Sequence, residues 1–408
     1  MRDPVQAILR YNRRFRARYP QLLRRKIALL YESPFLFYRG TFHLFAADWV
    51  EGHFDPWPKD SELRDAEIRI CADVHSENFG TYEIDHHRAA YGINDFDDAT
   101  RGRLDFDACR CAASLLLAAS RRGIQLRSAG AAAHAFVETY TQVLAGSRPP
   151  PDAPPIRRLL EDAQRARRPD YVRKRTVLKH GRRLFRGPRY FPLRPEHREQ
   201  ALRLLADYLG RHPRDARRNA GFFEVDDVRG RIAGCGSLGL LRYVILLRGE
   251  GSKEARNAIL EFKEAKTSAL DEARGRGRDG NGRAEFVIGA IRRFQKESDP
   301  FLGFAVDGSR SFQVRQLGPR DARLDGDAIT EGHLFREISA SFGVHLAAAQ
   351  RRANPGLAAL FRRIAGSRAE GFIRRTMSFA LAYAQQAEED WRAFVRNRSR
   401  VTRELLRD

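Results

Sequence analysis

Two polar loops, each leaving a short strand-like run and separated by a candidate hairpin, constrain this chain more than any other feature. The first is Cys71-Ala-Asp-Val-His-Ser-Glu-Asn-Phe-Gly80 after Ile68-Arg-Ile70, and the second is Asn94-Asp-Phe-Asp-Asp-Ala99 after the run Ala89 to Ile93. Between them Thr81 to Ile84 reads as a strand and Asp85-His-His87 as a turn. Asp, Asn and Gly collect at strand ends simply because they make turns, which would explain either loop taken alone. A second loop of matching chemistry after a hairpin favours a site. Phosphoryl transfer needs a carboxylate to accept the proton of an attacking hydroxyl, and an amide oxygen with further carboxylates to hold magnesium against nucleotide phosphates. Asp73 is the candidate base, with His75 beside it. Asn78, five positions after Asp73, and Asp95 with Asp97 are the candidate metal ligands.

The rest of the composition narrows the class. At 408 residues the chain can bury a large core in two lobes. With 42% hydrophobic and 31% charged residues it is neither a disordered chain nor a membrane-spanning one, and the start of the sequence has no apolar stretch of leader length. A cytoplasmic protein without membrane association is expected. Four cysteines at these spacings make neither a disulfide framework nor a zinc site. The net charge of +22 raises nucleic acid as a partner, but arginines are spread over nearly every segment. Even the densest run, Arg165 to Arg189, reads first as a solvated charged linker, so nucleic acid is not the favoured partner.

Ser147-Arg-Pro-Pro-Pro-Asp-Ala-Pro-Pro155 is the clearest break, because successive prolines lack the donors and dihedral freedom of regular structure. Four regions follow: 1–145 with both polar loops, 146–220 as a Pro-rich and basic linker with one helix, 221–320 rich in strand signals, and 321–408, which is helical. In the third, Gly234-x-Gly-Ser-x-Gly239 lies between strand-like runs. A Rossmann site would need a helix straight after the last glycine, whereas Leu240 to Leu247 branches like a strand, so the glycines read as a hairpin loop over phosphates. Gly234, Gly236, Ser237 and Gly239 are its candidate contacts. About twenty-five residues on, Leu260-Glu-Phe-Lys-Glu-Ala265 puts Lys263 in an apolar strand, where an ammonium needs an anion. Glu285, early in the helix Ala284 to Gln295, is its candidate acidic partner, with Glu264 or Glu261 as alternatives.

Asp73-x-His-x-x-Asn78 resembles the loop of the aminoglycoside phosphotransferase branch of the protein-kinase-like superfamily, with Ala72 where that family usually has Gly. The resemblance implies that Asp107, in Asp107-Ala-Cys-Arg110, props the catalytic loop from beneath. It also implies an α+β, two-lobed kinase-like fold, circularly permuted: read from about residue 230 to the end and then from the start to about 145, the elements come in the usual kinase order. The helical catalytic lobe is then split between the two ends of the chain, with a small antiparallel-sheet nucleotide lobe in the middle. Together with Ser33-Pro-Phe-x-Phe-Tyr-Arg-Gly40, Arg242-Tyr243, Arg315-Gln-Leu317 and Phe379-Ala-x-x-Tyr-Ala384 with Asp390, these motifs resemble the bacterial domain-of-unknown-function 2252 family over most of the chain. The function expected is an ATP- and magnesium-dependent phosphotransferase acting on a hydroxyl of a small molecule or protein. Two other readings stay open: a kinase-like protein that only binds nucleotide or transfers a nucleotidyl group, and a metallophosphoesterase using Asp73-Val-His75 with His86-His87.

Overall fold

A computed structural model describes residues 2–16, 20–58, 61–85, 87–179, 182–212, 221–233, 239–249, 257–277, 280, 282–366 and 369–406. Its architecture is mixed α and β, and every strand pair is antiparallel. The expected α+β class stands in that form.

The largest core is helical and is assembled from both ends of the chain. Phe106–Arg121 and Leu126–Ala145 come from the first third, and Gly332–Ala353 and Glu370–Arg396 from the last. Apolar positions three and four apart face this core: Phe136, Tyr140, Val143 and Leu144 meet Phe335, Ile338, Phe342 and Leu346. Among the described residues no helix is long and apolar enough to cross a membrane.

Two short ladders are set into this body. β1 (Glu67–Ile70) pairs with β4 (Thr100–Arg103), and β2 (Phe79–Glu83) pairs with β3 (Ala89–Ile93). Residue 70 faces 100 and residue 79 faces 93, so loops 71–78 and 94–99 each run between the same two ladders. They must lie side by side. β4, Thr-Arg-Gly-Arg, has no alternation of its own and is a strand because β1 pairs with it.

A hairpin, β5 (Thr176–Lys179) with β6 (Arg182–Phe185), precedes the main sheet. That sheet comprises β7 (Tyr190–Phe191), β8 (Val225–Arg231), β9 (Arg242–Leu247), β10 (Ala258–Glu264), β11 (Gly303–Asp307) and β12 (Arg310–Gln316), in spatial order β11-β12-β10-β9-β8-β7. One face buries Tyr243, Ile245, Leu260, Phe262, Phe312 and Val314 against the helix Pro195–Arg211. On the other, Val244, Leu246 and Ile259 pack under Phe185.

Region 146–220 differs from the linker expected of it. Pro154–Arg165 and Arg168–Arg175 are helices, β5 to β7 follow, and Pro195–Arg211 covers the sheet. The prolines do not oppose this. Pro154 and Pro155 occupy the first helical turn, where the missing N–H has no intrahelical acceptor in any case.

Candidate functional site

The first polar loop is held from below by one carboxylate. Asp107, wholly buried in the first turn of Phe106–Arg121, accepts from Cys71 N–H at 2.9 Å, Ala72 N–H at 2.8 Å and Gln350 Nε2 at 2.9 Å. Ala72 has φ +68°, a conformation that costs a residue with a Cβ roughly 1 kcal/mol or more, and the two amides given to Asp107 help fix it. Burial pushes the Asp107 carboxyl up to about 6 despite these donors.

Asp73 then projects at the loop's crest, with its side chain 23% exposed. Arg110, three residues after Asp107 and fully buried, donates to Asp73 Oδ1 from Nη2 at 2.7 Å and from Nε at 3.2 Å. The guanidinium lies over the Tyr38 ring at 3.6 Å and also bonds the Tyr38 carbonyl at 3.0 Å, so it is fixed from behind. Burial pushes Asp73 up to about 6 against the pull of this cation, which leaves it mostly ionised at neutral pH.

Asn78 closes the loop by accepting His75 N–H on Oδ1 at 2.7 Å, while its carbonyl accepts Asn94 N–H at 3.0 Å and so links the two loops. His75 is buried. Its imidazole faces Arg39 Nε at 3.3 Å and packs edge-on to Phe35, and burial together with Arg39 and Arg110 drives its pKa well below the ordinary value. Arg39, delivered by the Ser33-capped helix Pro34–Gly40, also pairs with Glu77 at 2.5 Å.

In the second loop Asp95 is half-buried, and among the described residues its carboxylate accepts one long contact, from Asp97 N–H at 3.4 Å. Asp97 points the other way, to the sheet. Its carboxylate pairs with Lys263 of β10 and accepts Gln313 Nε2 at 3.1 Å. Burial opposes this charge, but the Lys263 ammonium outweighs it and holds the Asp97 carboxyl low. Lys263 is therefore paired with Asp97 rather than with Glu285, which stands exposed on the helix Arg283–Phe294. Glu264 accepts Leu241 N–H at 2.9 Å. Glu261 is enclosed by Arg231, Arg242 and Arg315.

Of the glycine-rich loop, Gly234, Gly236 and Ser237 lie outside the described residues. Gly239 has φ +108°, and a Cβ there would lie 2.7 Å from Phe15 Cδ1, so only glycine fits against the first helix, Pro4–Arg16. His86 also lies outside the described residues, and His87 is exposed in the hairpin turn. Among the described residues the one group of three His, Cys, Asp or Glu side chains close enough to share an ion is Asp48, Glu51 and His53, none of which belongs to either loop.

Three side chains that join the parts were not assigned a role from sequence. Arg110 is one. Lys266 bonds Asp98 at 3.0 and 3.1 Å, and Arg283 donates to the carbonyls of Asp97, Ala99 and Lys266 at 2.7 to 2.9 Å. Lys266 carried a readable signal, since a second lysine three residues after Lys263 is unusual in an arginine-rich chain. Arg110 and Arg283 stand among too many other arginines for any such signal.

Comparison with known proteins gives one positive finding. Residues 18–397 match the model of a family described as an uncharacterized protein conserved in bacteria (DUF2252). No curated protein and no solved structure matches the chain.

Proposed function

The chain belongs to this family of uncharacterised bacterial proteins, and from its site we propose an ATP- and magnesium-dependent phosphotransferase that acts on a hydroxyl, built on a two-lobed kinase-like plan in permuted order. One observation carries the reading. Lys263, central in a sheet far along the chain, pairs with Asp97 of the second strand-end loop, which joins a sheet cation to the loop that carries Asp95 and is bonded to the loop that carries Asp73 and Asn78. That is the set of groups in-line phosphoryl transfer requires.

The donors fit magnesium in kind. Asp95 has oxygens to offer, Asn78 Oδ1 keeps a second lone pair after accepting His75 N–H, and both are hard ligands. Two or three protein oxygens suit an ion that keeps water and takes phosphate for the rest of its shell. When bound, magnesium would neutralise charge on the phosphates. Lys263, released from Asp97, would pair with the nucleotide phosphates. Asp73, fixed by Arg110 and mostly ionised at neutral pH, would orient the acceptor hydroxyl and take its proton.

The test is thermal unfolding with millimolar ATP and magnesium, comparing the native chain with Asp95→Ala and Lys263→Ala. A ligand at a hundredfold excess over its Kd stabilises by about 2.7 kcal/mol, so a rise of a few degrees is expected in the native chain and its loss in both variants. No rise in the native chain would refute nucleotide binding.

A further inference from the structure

We propose that the sheet face around Glu261 is a cradle for an oligophosphate chain, able to bind it without a divalent cation. The inference deepens the nucleotide reading, because it names the groups that grip the phosphates, and it rests on that reading for the identity of the molecule carrying them.

Strand register builds the cradle. Glu261 of β10 lies directly opposite Arg315 of β12, and Lys263 lies opposite both Gln313 of β12 and Arg242 of β9. Residues directly opposite one another, or two apart along a strand, share a face. Arg231, the residue after Gly230 in the pairing of β8 with β9, joins the same face. Arg231, Arg242 and Arg315 all converge on the one Glu261 carboxylate, with Arg315 Nε at 3.0 Å and Arg242 Nη1 at 3.4 Å.

The ion pairs on this face are shared unequally. Arg231, Arg242 and Arg315 all pair with the single carboxylate of Glu261, while Lys263 pairs with Asp97. Asp321 and Asp95 add to the negative field at Arg315 without forming an ion pair with it. Glu261 is completely buried, so it serves as the internal counter-ion that lets three guanidinium groups approach one another. Among the described residues Arg231 Nε is buried without a partner, while the Arg315 side chain is 40% exposed and gives a ligand its way in. Arg231 and Arg242 stand on neighbouring strands, about 5 Å apart, and Arg315 on β12 lies beyond β10, a spread that suits a chain of phosphates better than a single carboxylate, because each fork takes two oxygens.

Calorimetric titration of the full chain with inorganic tripolyphosphate in EDTA tests this, with inorganic phosphate as the comparison. Tripolyphosphate should bind well ahead of phosphate. Arg315→Gln, partly exposed and so safe for folding as checked by circular dichroism, should weaken it about tenfold, the loss of one charge-assisted contact. Glu261→Gln should strengthen it, a sign opposite to that of a residue needed only for structure. Undetectable binding, or binding that Arg315→Gln leaves unchanged, overturns the cradle. Thermal shifts with ATP and magnesium on the same samples separate the two ideas. A shift without tripolyphosphate binding overturns the cradle alone, and tripolyphosphate binding without a shift upholds the cradle while removing the nucleotide.

Discussion

Asp73 and Asp107 are both carboxylates under one loop, yet their surroundings give them different work. Asp107 faces three N–H donors and no cation, so its task is to hold Cys71 and Ala72 in place. Asp107→Ala strands two backbone amides in the interior, and a loss of about 2–4 kcal/mol in urea unfolding is expected. Asp73 faces Arg110 and is partly open to solvent. Its pKa stands at about 6 in the folded chain against about 3.9 when unfolded. Between those values the folded state holds a proton that the unfolded state has released, so this group's contribution to stability falls as pH rises from about 4 to 6. Asp73→Asn removes that fall. On going from pH 4.5 to 7 the variant should gain about 1–2 kcal/mol on the native chain in urea unfolding, and parallel curves would mean that Asp73 ionises as freely as in water. The loop motif was legible because its residues are adjacent in sequence. The support from Arg110 was not, since a guanidinium's partner is fixed by tertiary packing and this chain has arginines everywhere.

Among the elements, those with periodicity of their own were legible. Ala89 to Ile93 is a strand as read, and the helix read as Ala284 to Gln295 forms as Arg283–Phe294. Elements that depend on a partner were not: β4 is polar and borrows its strand character from β1, and the helix Pro154–Arg165 was masked by its opening prolines although Ile156 and Ala163 recur at helical spacing and are buried. One close helix crossing also has a sequence cause invisible without the fold. Gly343 in Gly332–Ala353 lets that backbone approach Leu126–Ala145, where an added Cβ would lie 2.3 Å from Phe136 O and 2.9 Å from Tyr140 N. Neither atom can move without moving a helix. Gly343→Ala should therefore destabilise by about 1–3 kcal/mol despite alanine's better helix propensity, and chemical denaturation measures the outcome directly.

At the scale of the molecule, the first and last helical segments share a core. Val5, Ile8 and Leu9 pack with Phe394, Val401 and Leu405, and Arg13 reaches Glu404 at 2.7 Å. A helical body assembled from both ends of a chain, with a sheet between them in sequence, has to be fastened to that sheet by side chains, and two cations on or just after β10 do so. They differ in kind. Lys266 pairs with the buried Asp98, whose carboxylate also accepts Ala269 N–H at 2.8 Å and whose backbone oxygen accepts Ser268 Oγ, so this bridge is locked on its acidic side. Lys263 pairs with Asp97, whose side chain is 17% exposed against 7% for Asp98, and in the proposed function it exchanges that partner for a phosphate. The fixed bridge should therefore carry stability and the open one binding. Lys266→Met leaves a buried carboxylate without its cation and should lower unfolding stability by about 3–5 kcal/mol, whereas combining it with Asp98→Asn should restore part of the loss. A double-mutant cycle gives the coupling, expected at about 1–3 kcal/mol. A coupling near zero for Lys266 with Asp98, beside a large one for Lys263 with Asp97, would reverse the two roles and leave Lys263 too firmly held to serve a ligand.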